Sequence, residues 1–314
     1  MDSPGHSTRV RAGLSSRLAF AAIRRLERSL SPEALYRVVA PFIYARTAIK
    51  LKRTMLALPA CLHRDGKQSV VAQAKRRGDH FAGVLEFFPD RLSYPKWRDR
   101  VEFVGLEYLE AARKKRKPVV LAFCHFGPFF LLRYWLRAAG FPAATVIRGK
   151  VEHRSSFKRL ADQVSPFAEI PTAFYQDELR ELIEFLQAGN PLLIALDAEL
   201  GKQIAAPLDD QWQVQVASGP IRLAIRHTAE LIPCIITDQG HWRFRIKLGP
   251  PVPEELLRTG QETEVVKRLV DAIVPEIRAH PEQCLERVIS LFRAALPSKK
   301  ISNPLTDADQ IAAR

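Results

Sequence analysis

The chain has 314 residues, of which 47% are apolar, and this composition predicts a largely folded protein with a substantial core. The formal net charge of +14 favours an anionic partner, such as a nucleic acid, an anionic lipid surface or an acidic protein. The four cysteines form no Cys-x-x-Cys pair, which argues against a zinc site or a disulfide framework and favours reduced thiols in a cytoplasmic setting. Cys124 and Cys234 lie in apolar, strand-like runs and are expected to be buried and inert.

The N-terminal part predicts a flexible leader over residues 1–16 and a helical region over 17–55 that mixes basic and apolar residues. Ser31 is the predicted N-cap of a helix with Pro32 in its first turn. That helix is either an interfacial helix in the lipid headgroup layer or an ordinary amphipathic helix packed on the domain. No apolar run reaches the roughly 18 residues typical of a transmembrane helix, and the run over 18–23 is too short for a signal peptide.

From about residue 117 onward, short β-rich apolar runs alternate with helical patterns. This alternation predicts an α/β fold with a mainly parallel or mixed central sheet flanked by helices. The predicted strands are residues 119–124, 144–148, 167–170, 192–196, 231–237 and 244–248, the last two as a candidate antiparallel edge. The predicted helices are residues 129–139, 154–164, 177–188 and 219–227.

Two closing helices are predicted over 261–280 and 282–295, and the tail over 297–314 is predicted to be disordered. The sequence contains no internal repeat and no low-complexity tract. Residues 17–296 are therefore expected to form one domain.

His125 directly follows the predicted strand 119–124, and Gly127-Pro128 then opens a helix. In parallel α/β sheets, ligands bind beyond the carboxyl ends of the strands, which is where this side chain is expected. A neutral imidazole there can accept the proton of an attacking hydroxyl, and nearby helix-terminal amides can hold an oxyanion. The alternative is a histidine that only satisfies a backbone partner in a strand-to-helix turn.

Several segments in order resemble the bacterial lipid A biosynthesis acyltransferases. Residues 124–130, Cys-His-Phe-Gly-Pro-Phe-Phe, are similar to that family's His-Phe-Gly-Asn-Trp-Glu signature. Residues 145–148 resemble its strand ending in Tyr-Arg, and residues 193–201 its Asp-Gln-Asp-x-Gly turn. Residues 218–224 resemble its Thr-Gly-Pro-x-x-Leu-Ala helix, and the segments at 250–251 and 280–283 resemble its closing segments. The resemblance covers roughly residues 100–295 and implies the glycerol-3-phosphate/lysophospholipid acyltransferase-like fold.

One residue that the family's chemistry uses is missing from this chain. The family's carboxylate five positions after the histidine, which orients the imidazole, is replaced here by Phe130. Either another carboxylate substitutes, with Asp197 and Glu199 as candidates, or the chain has lost the chemistry and retains only lipid binding. Phe126, Phe129, Phe130 and Leu131 form an apolar patch expected to line an acyl groove.

Two further positions are candidate substrate-binding residues. The resemblance implies that Arg148, at the end of a strand, lies near the acceptor headgroup or the transition state, where a guanidinium can bind phosphate. Gly219 opens a helix after Ser218, a candidate N-cap, and with Gly127 could present amides to an anion. Each feature also has a purely structural explanation. Arg148 can be a surface arginine, residues 197–201 a simple turn, and the start of the helix at Gly219 ordinary helix capping.

The sequence leads to three hypotheses about function. The first is an acyltransferase that moves a fatty acyl group from acyl carrier protein or acyl-coenzyme A to a hydroxyl of a lipid or glycolipid, requiring no metal and no bound organic cofactor. It would act on an anionic membrane surface, at the cytoplasmic face of the inner membrane, as a peripheral or monotopic protein. The second is a catalytically degenerate, membrane-associated lipid-binding homologue. The third, a nucleic-acid-binding protein, is disfavoured because the chain has no helix-turn-helix, zinc-finger or RNA-recognition signature.

Overall fold

A computed structural model describes residues 95–147, 173–175, 178–199 and 201–294, together with 21, 22, 25, 26, 29–38 and 41. The predicted leader, tail, helix over 154–164 and strand over 167–170 lie outside these residues, as does most of the predicted N-terminal helix. The strands are β1 (Val101–Val104), β2 (Val119–Phe123), β3 (Ala144–Ile147), β4 (Ala173–Tyr175), β5 (Pro191–Ala195), β6 (Gln203–Pro207), β7 (Trp212–Ala217), β8 (Glu230–Gly240), β9 (Arg243–Leu248) and β10 (Phe292–Ala294).

The helices cover most of the chain between these strands. They are α1 (Pro95–Arg98), α2 (Leu106–Lys114), α3 (Leu132–Ala138), α4 (Leu179–Gln187), α5 (Gly219–His227), α6 (Glu262–Ala279) and α7 (Glu286–Ile289). Within the described residues, short 3-10 turns lie at Phe129–Leu131, Glu254–Leu256 and Pro281–Gln283. The predicted helices over 177–188, 219–227 and 261–280 are confirmed as α4, α5 and α6 with small shifts at their ends.

The central sheet has seven strands in the order β1-β9-β8-β2-β5-β3-β4. The five strands from β8 to β4 run parallel, while β9 is antiparallel to β8 and pairs in parallel with β1. Parallel neighbours need crossover connections, which explains why helices alternate with strands along the sequence. The mixed, helix-flanked α/β sheet predicted from the sequence is confirmed.

Both faces of this sheet are buried, and alternate residues of one strand pack into different hydrophobic clusters. On β2, Val120 and Ala122 belong to one cluster, while Val119, Leu121 and Phe123 belong to the other. A strand covered on both faces is apolar at every position rather than at alternate positions, because neither side meets water. The continuous run Val-Val-Leu-Ala-Phe of β2 has this pattern.

The remaining strands form a second sheet that the sequence analysis missed. It has three antiparallel strands in the order β10-β7-β6. The predicted closing helix over 282–295 is wrong, since α7 ends at Ile289 and β10 then pairs with β7. Phe292, on β10, is buried in the core. The predicted antiparallel edge needs correction too, because β1 lies beyond β9 and forms the edge.

Part of the N-terminal helix is described over residues 32–38, and it packs on the domain. The Ser31 hydroxyl accepts a hydrogen bond from the Ala34 amide at 3.2 Å, which confirms Ser31 as its N-cap. Leu35 is fully buried and the Tyr36 ring meets the Trp242 ring edge-on, with centroids 5.3 Å apart. Within this stretch the helix therefore contributes to the core of the domain, while Arg37 and Val38 face outward.

Candidate active site

The register of two parallel strands places a histidine and a carboxylate side by side. β2 and β5 pair so that Phe123 lies opposite Ala195, and the Leu196 amide donates to the Phe123 carbonyl at 2.7 Å. Continuing this register by two residues brings His125 opposite Asp197, just beyond the carboxyl ends of both strands. This edge is where a parallel sheet presents its ligand-binding side chains.

Asp197 holds His125 with both of its carboxylate oxygens. Its Oδ1 lies 2.7 Å from Nδ1 of the His125 ring, and its Oδ2 accepts the His125 backbone amide at 2.9 Å. The Asp197 side chain is fully buried, while 17% of the His125 side chain is exposed. A carboxylate that accepts from Nδ1–H fixes the imidazole in the tautomer whose Nε2 carries a lone pair. Nε2 is thus prepared to accept a proton.

Gly127 makes the turn that leads away from His125. Its φ is +52°, and a Cβ at this position would lie 2.6 Å from the Ile236 carbonyl oxygen, so only glycine fits. Its amide donates to the Gln283 carbonyl at 3.1 Å. The predicted oxyanion role of this amide therefore competes with a hydrogen bond that already holds the loop together.

The closing segment after α6 packs directly against this loop. Cys284 forms an isolated bridge with Phe126, and the buried Gln283 side chain makes two hydrogen bonds of 2.8 Å with the backbone of Asp238. α7 then carries Arg287, whose Nη1 lies 3.5 Å from Nε2 of His125. Gln283 and Arg287 are not recognisable as site residues from the sequence; the one signal there is that residues 280–283 resemble a family segment.

Residues 82–285, more than half of the chain, match the family described as bacterial lipid A biosynthesis acyltransferase. The chain belongs to this family. No curated protein matches the chain significantly. In the described residues, no helix is both long enough and apolar enough to cross a membrane.

In this acyltransferase-family chain, the position of the missing motif acid is separated from the imidazole by another aromatic ring. Phe129 meets the His125 ring edge-on with centroids 4.5 Å apart, and Phe130 meets Phe129 edge-on at 5.8 Å. Glu199, the other candidate acid, is exposed. Among the described residues, Asp197 is the carboxylate that contacts His125.

The predicted apolar patch divides into two pairs of side chains. Phe126 and Leu131 are fully buried in the core, so they cannot present a surface to an acyl chain, contrary to expectation. Phe129 and Phe130 are partly buried; Phe129 contacts the His125 ring, and Phe130 contacts Phe129. Phe129 and the buried Phe123, whose ring centroid lies 5.7 Å from that of His125, therefore form the apolar surface next to the imidazole.

The other predicted binding residues lie elsewhere or outside the described residues. Arg148 lies outside them, so its position stays a prediction. Gly219 lines a surface cleft of about 1160 Å³ between α5, β6 and the start of α6. Ser218 occupies the N-cap position of α5, as predicted, but its backbone angles are already helical and its hydroxyl makes no capping bond to this helix.

The buried thiols next to this site are poor nucleophiles. Cys124, directly before His125, is buried, and burial together with the negative charge of Asp197 raises the pKa of its thiol well above the usual range. Burial also raises the pKa of the Cys234 thiol. Because the thiolate is the reactive form, neither group is suited to form an acyl intermediate near neutral pH.

Proposed function

We propose that this chain transfers a fatty acyl group from an acyl thioester to a hydroxyl of a lipid or glycolipid acceptor, with His125 as the general base. The observation that carries the proposal is the 2.7 Å contact between Asp197 and Nδ1, which leaves Nε2 as the ring nitrogen that Asp197 does not contact, on a side chain that is 17% exposed. Membership of an acyltransferase family gives the reaction class. The site supplies the group that such a reaction needs, a base oriented by a carboxylate.

In the proposed reaction, the acceptor hydroxyl binds at Nε2 and gives up its proton as its oxygen attacks the thioester carbonyl. Asp197 stabilises the imidazolium that forms, because its buried carboxylate faces the protonated Nδ1. Phe129, with Phe130 packed against it, provides an apolar wall beside the ring for the first carbons of the acyl chain. The contact of Oδ1 with Nδ1 keeps the imidazole from rotating away during these steps, and the bond from the His125 backbone amide to Oδ2 fixes the carboxylate that makes this contact.

The donor and the place of action belong to the same proposal. A donor bound to acyl carrier protein or to coenzyme A is anionic, and the chain carries a formal net charge of +14. We expect the protein to work peripherally at an anionic membrane surface, on the cytoplasmic face of the inner membrane. Exposed apolar and basic side chains of the N-terminal region support this, among them Leu26, Arg37 and Val38.

The alternative is a degenerate homologue that binds lipid without turning it over, and Phe130 is the observation that favours it. The geometry speaks against this alternative, because a lost active site has no reason to keep a buried carboxylate on Nδ1 of the histidine.

The experiment measures thiol release from dodecanoyl-coenzyme A and from dodecanoyl carrier protein, with a lipid A precursor bearing an unacylated hydroxyl as acceptor. Wild-type protein is expected to form the acylated product, and His125→Ala to lower kcat by at least about 10³-fold through loss of the base. The matched control is His241→Asn, because His241 is an exposed histidine and asparagine tolerates its left-handed backbone.

Turnover that survives in His125→Ala would exclude this residue as the base. Acceptor binding by wild-type protein without any thiol release from either donor would support the degenerate homologue instead. A loss of activity in His241→Asn equal to that in His125→Ala would mean that the assay reports folding rather than chemistry.

A further inference from the structure

A guanidinium lies beside the lone-pair nitrogen of the base. Arg287 Nη1 is 3.5 Å from His125 Nε2, at the ring nitrogen that Asp197 does not contact. This distance is at the long limit of a hydrogen bond, so the contact itself is weak. The contact is informative because it places the Arg287 guanidinium at the region that an attacking hydroxyl must occupy.

The backbone that carries Arg287 is fixed on both sides although the side chain is exposed. On the N-terminal side, Gln283 binds the Gly127 amide and the Asp238 backbone. On the C-terminal side, Val288 is fully buried, and the Leu291 carbonyl accepts a bond from the Gln215 amide as the chain enters β10. Arg287 is therefore held at the site by its backbone rather than reaching it from a mobile surface loop.

The reaction needs a donor for the negative charge that develops on the carbonyl oxygen. The Gly127 amide is already bonded to Gln283, and Gly219 opens a different cleft. An oxyanion forms on the carbon that the hydroxyl attacks, next to the hydroxyl oxygen bound at Nε2. A guanidinium nitrogen 3.5 Å from Nε2 lies within reach of that oxygen without a change in the backbone.

We propose that Arg287 is a catalytic residue that donates a hydrogen bond to the oxyanion of the tetrahedral intermediate. This inference rests on the proposed acyl transfer. The Arg287 guanidinium also counters the buried negative charge of Asp197 from the other side of the imidazole. A fixed donor aimed at developing charge stabilises the transition state more than the ground state, which is the condition for raising kcat.

The acyl transfer balances in atoms and electrons with the groups named above. The acceptor oxygen forms a bond to the carbonyl carbon, its proton moves to Nε2, and the carbonyl π pair becomes the oxyanion lone pair beside Arg287. The oxyanion then reforms the carbonyl, the carbon–sulfur bond breaks, and the departing thiolate takes the proton from Nε2. The products are an ester and a thiol, and no oxidant, reductant or metal enters the balance.

The test compares kcat and KM of Arg287→Gln and Arg287→Lys with those of wild-type protein, using the dodecanoyl thioesters and lipid A precursor named above. Arg287→Gln is expected to lower kcat by about 10²–10³-fold, with little change in KM. Arg287→Lys is expected to retain an intermediate rate, since lysine keeps the charge but not the planar fork. Arg293→Gln is the matched control, because Arg293 is an exposed arginine on β10 of the same segment.

A second variant separates chemistry from folding. Guanidinium ions added at millimolar concentration are expected to restore part of the activity of Arg287→Ala but none of that of His125→Ala. A normal kcat in Arg287→Gln would overturn the assignment while the acyl transfer itself stands. A raised KM for the lipid A precursor alone, with unchanged kcat, would make Arg287 a headgroup anchor and would likewise overturn it. If wild-type protein releases no thiol, the proposed function fails first.

Discussion

Two regions of the molecule contrast in what they offer a substrate. The carboxyl edge of β2 and β5 holds the acid–base pair, with Asp197 fully buried and His125 mostly buried. The cleft between α5, β6 and α6 is far more open, with a volume of about 1160 Å³. Its lining carries three exposed cations and several apolar side chains, namely Lys202, Arg222, Arg226, Leu179, Ile204 and Leu223.

The contrast teaches that the size of an opening does not locate the chemistry. Proton transfer needs an oriented base, and orientation comes from the fixed register of two parallel strands rather than from an open surface. The cleft offers charge and apolar area, which suit binding, but the residues described there supply no oriented histidine. Substitutions in the two regions should therefore affect different kinetic constants.

The largest effect in this comparison is expected from Asp197→Asn. An asparagine amide would donate to Nδ1 and so favour the tautomer that protonates Nε2, which cannot accept the hydroxyl proton. We expect kcat to fall by about 10³–10⁴-fold with the fold intact, as measured by thiol release and far-UV circular dichroism. Asp210→Asn, at an exposed aspartate, is the matched control. A reduction of less than tenfold would show that Asp197 does not set the tautomer.

A smaller effect is expected from Gln283→Leu, which removes the two side-chain hydrogen bonds to the Asp238 backbone. Leaving a buried amide and a buried carbonyl unpaired should lower the free energy of unfolding by about 2–5 kcal/mol, measured by urea denaturation. The shift of the loop and of α7 should lower kcat by up to about 10²-fold. Gln211→Leu, at an exposed turn, is the control. Equal losses of unfolding free energy and kcat in the two variants would show that Gln283 does not hold the loop in place.

Substitutions in the cleft between α5, β6 and α6 are expected to have the smallest effect on kcat. Replacing Lys202, Arg222 and Arg226 together by glutamine should leave kcat within about twofold, because exposed cations contribute at most about 1 kcal/mol each to binding and none of them is the base. Any change should fall on the KM of the anionic donor and weaken with added salt. A large reduction of kcat would show that the cleft, rather than the edge of β2 and β5, holds the reacting groups.

The sequence predicted those parts of the site that depend on continuous apolar strands. The buried runs of β2 and β5 are recognisable without a structure, and they carry His125 and Asp197 to the same edge. The choice of Asp197 over Glu199 required coordinates, because two acids in one turn differ only in where their side chains point. Burial of Asp197 and exposure of Glu199 decide which acid holds the imidazole.

Arg287 could not be found from the sequence because its position depends on long-range pairing. A helix over 282–295 fits the local pattern, and only the pairing of β10 with β7 shows that the chain leaves the helix after Ile289. The short strands β1, β6 and β7 were missed for a related reason. Each is four to six residues long, and its pairing partner is not visible in its own composition.

The central claim is that Asp197, rather than any group at position 130, orients the imidazole, and the double variant Asp197→Asn/Phe130→Glu tests it most directly. Nδ1 faces Asp197, and the Phe129 ring stands between His125 and Phe130, so a carboxylate at position 130 should not reach the imidazole. We predict that the double variant releases thiol from dodecanoyl carrier protein no faster than Asp197→Asn alone. Recovery toward the wild-type rate would contradict the account and return the orienting role to the motif position.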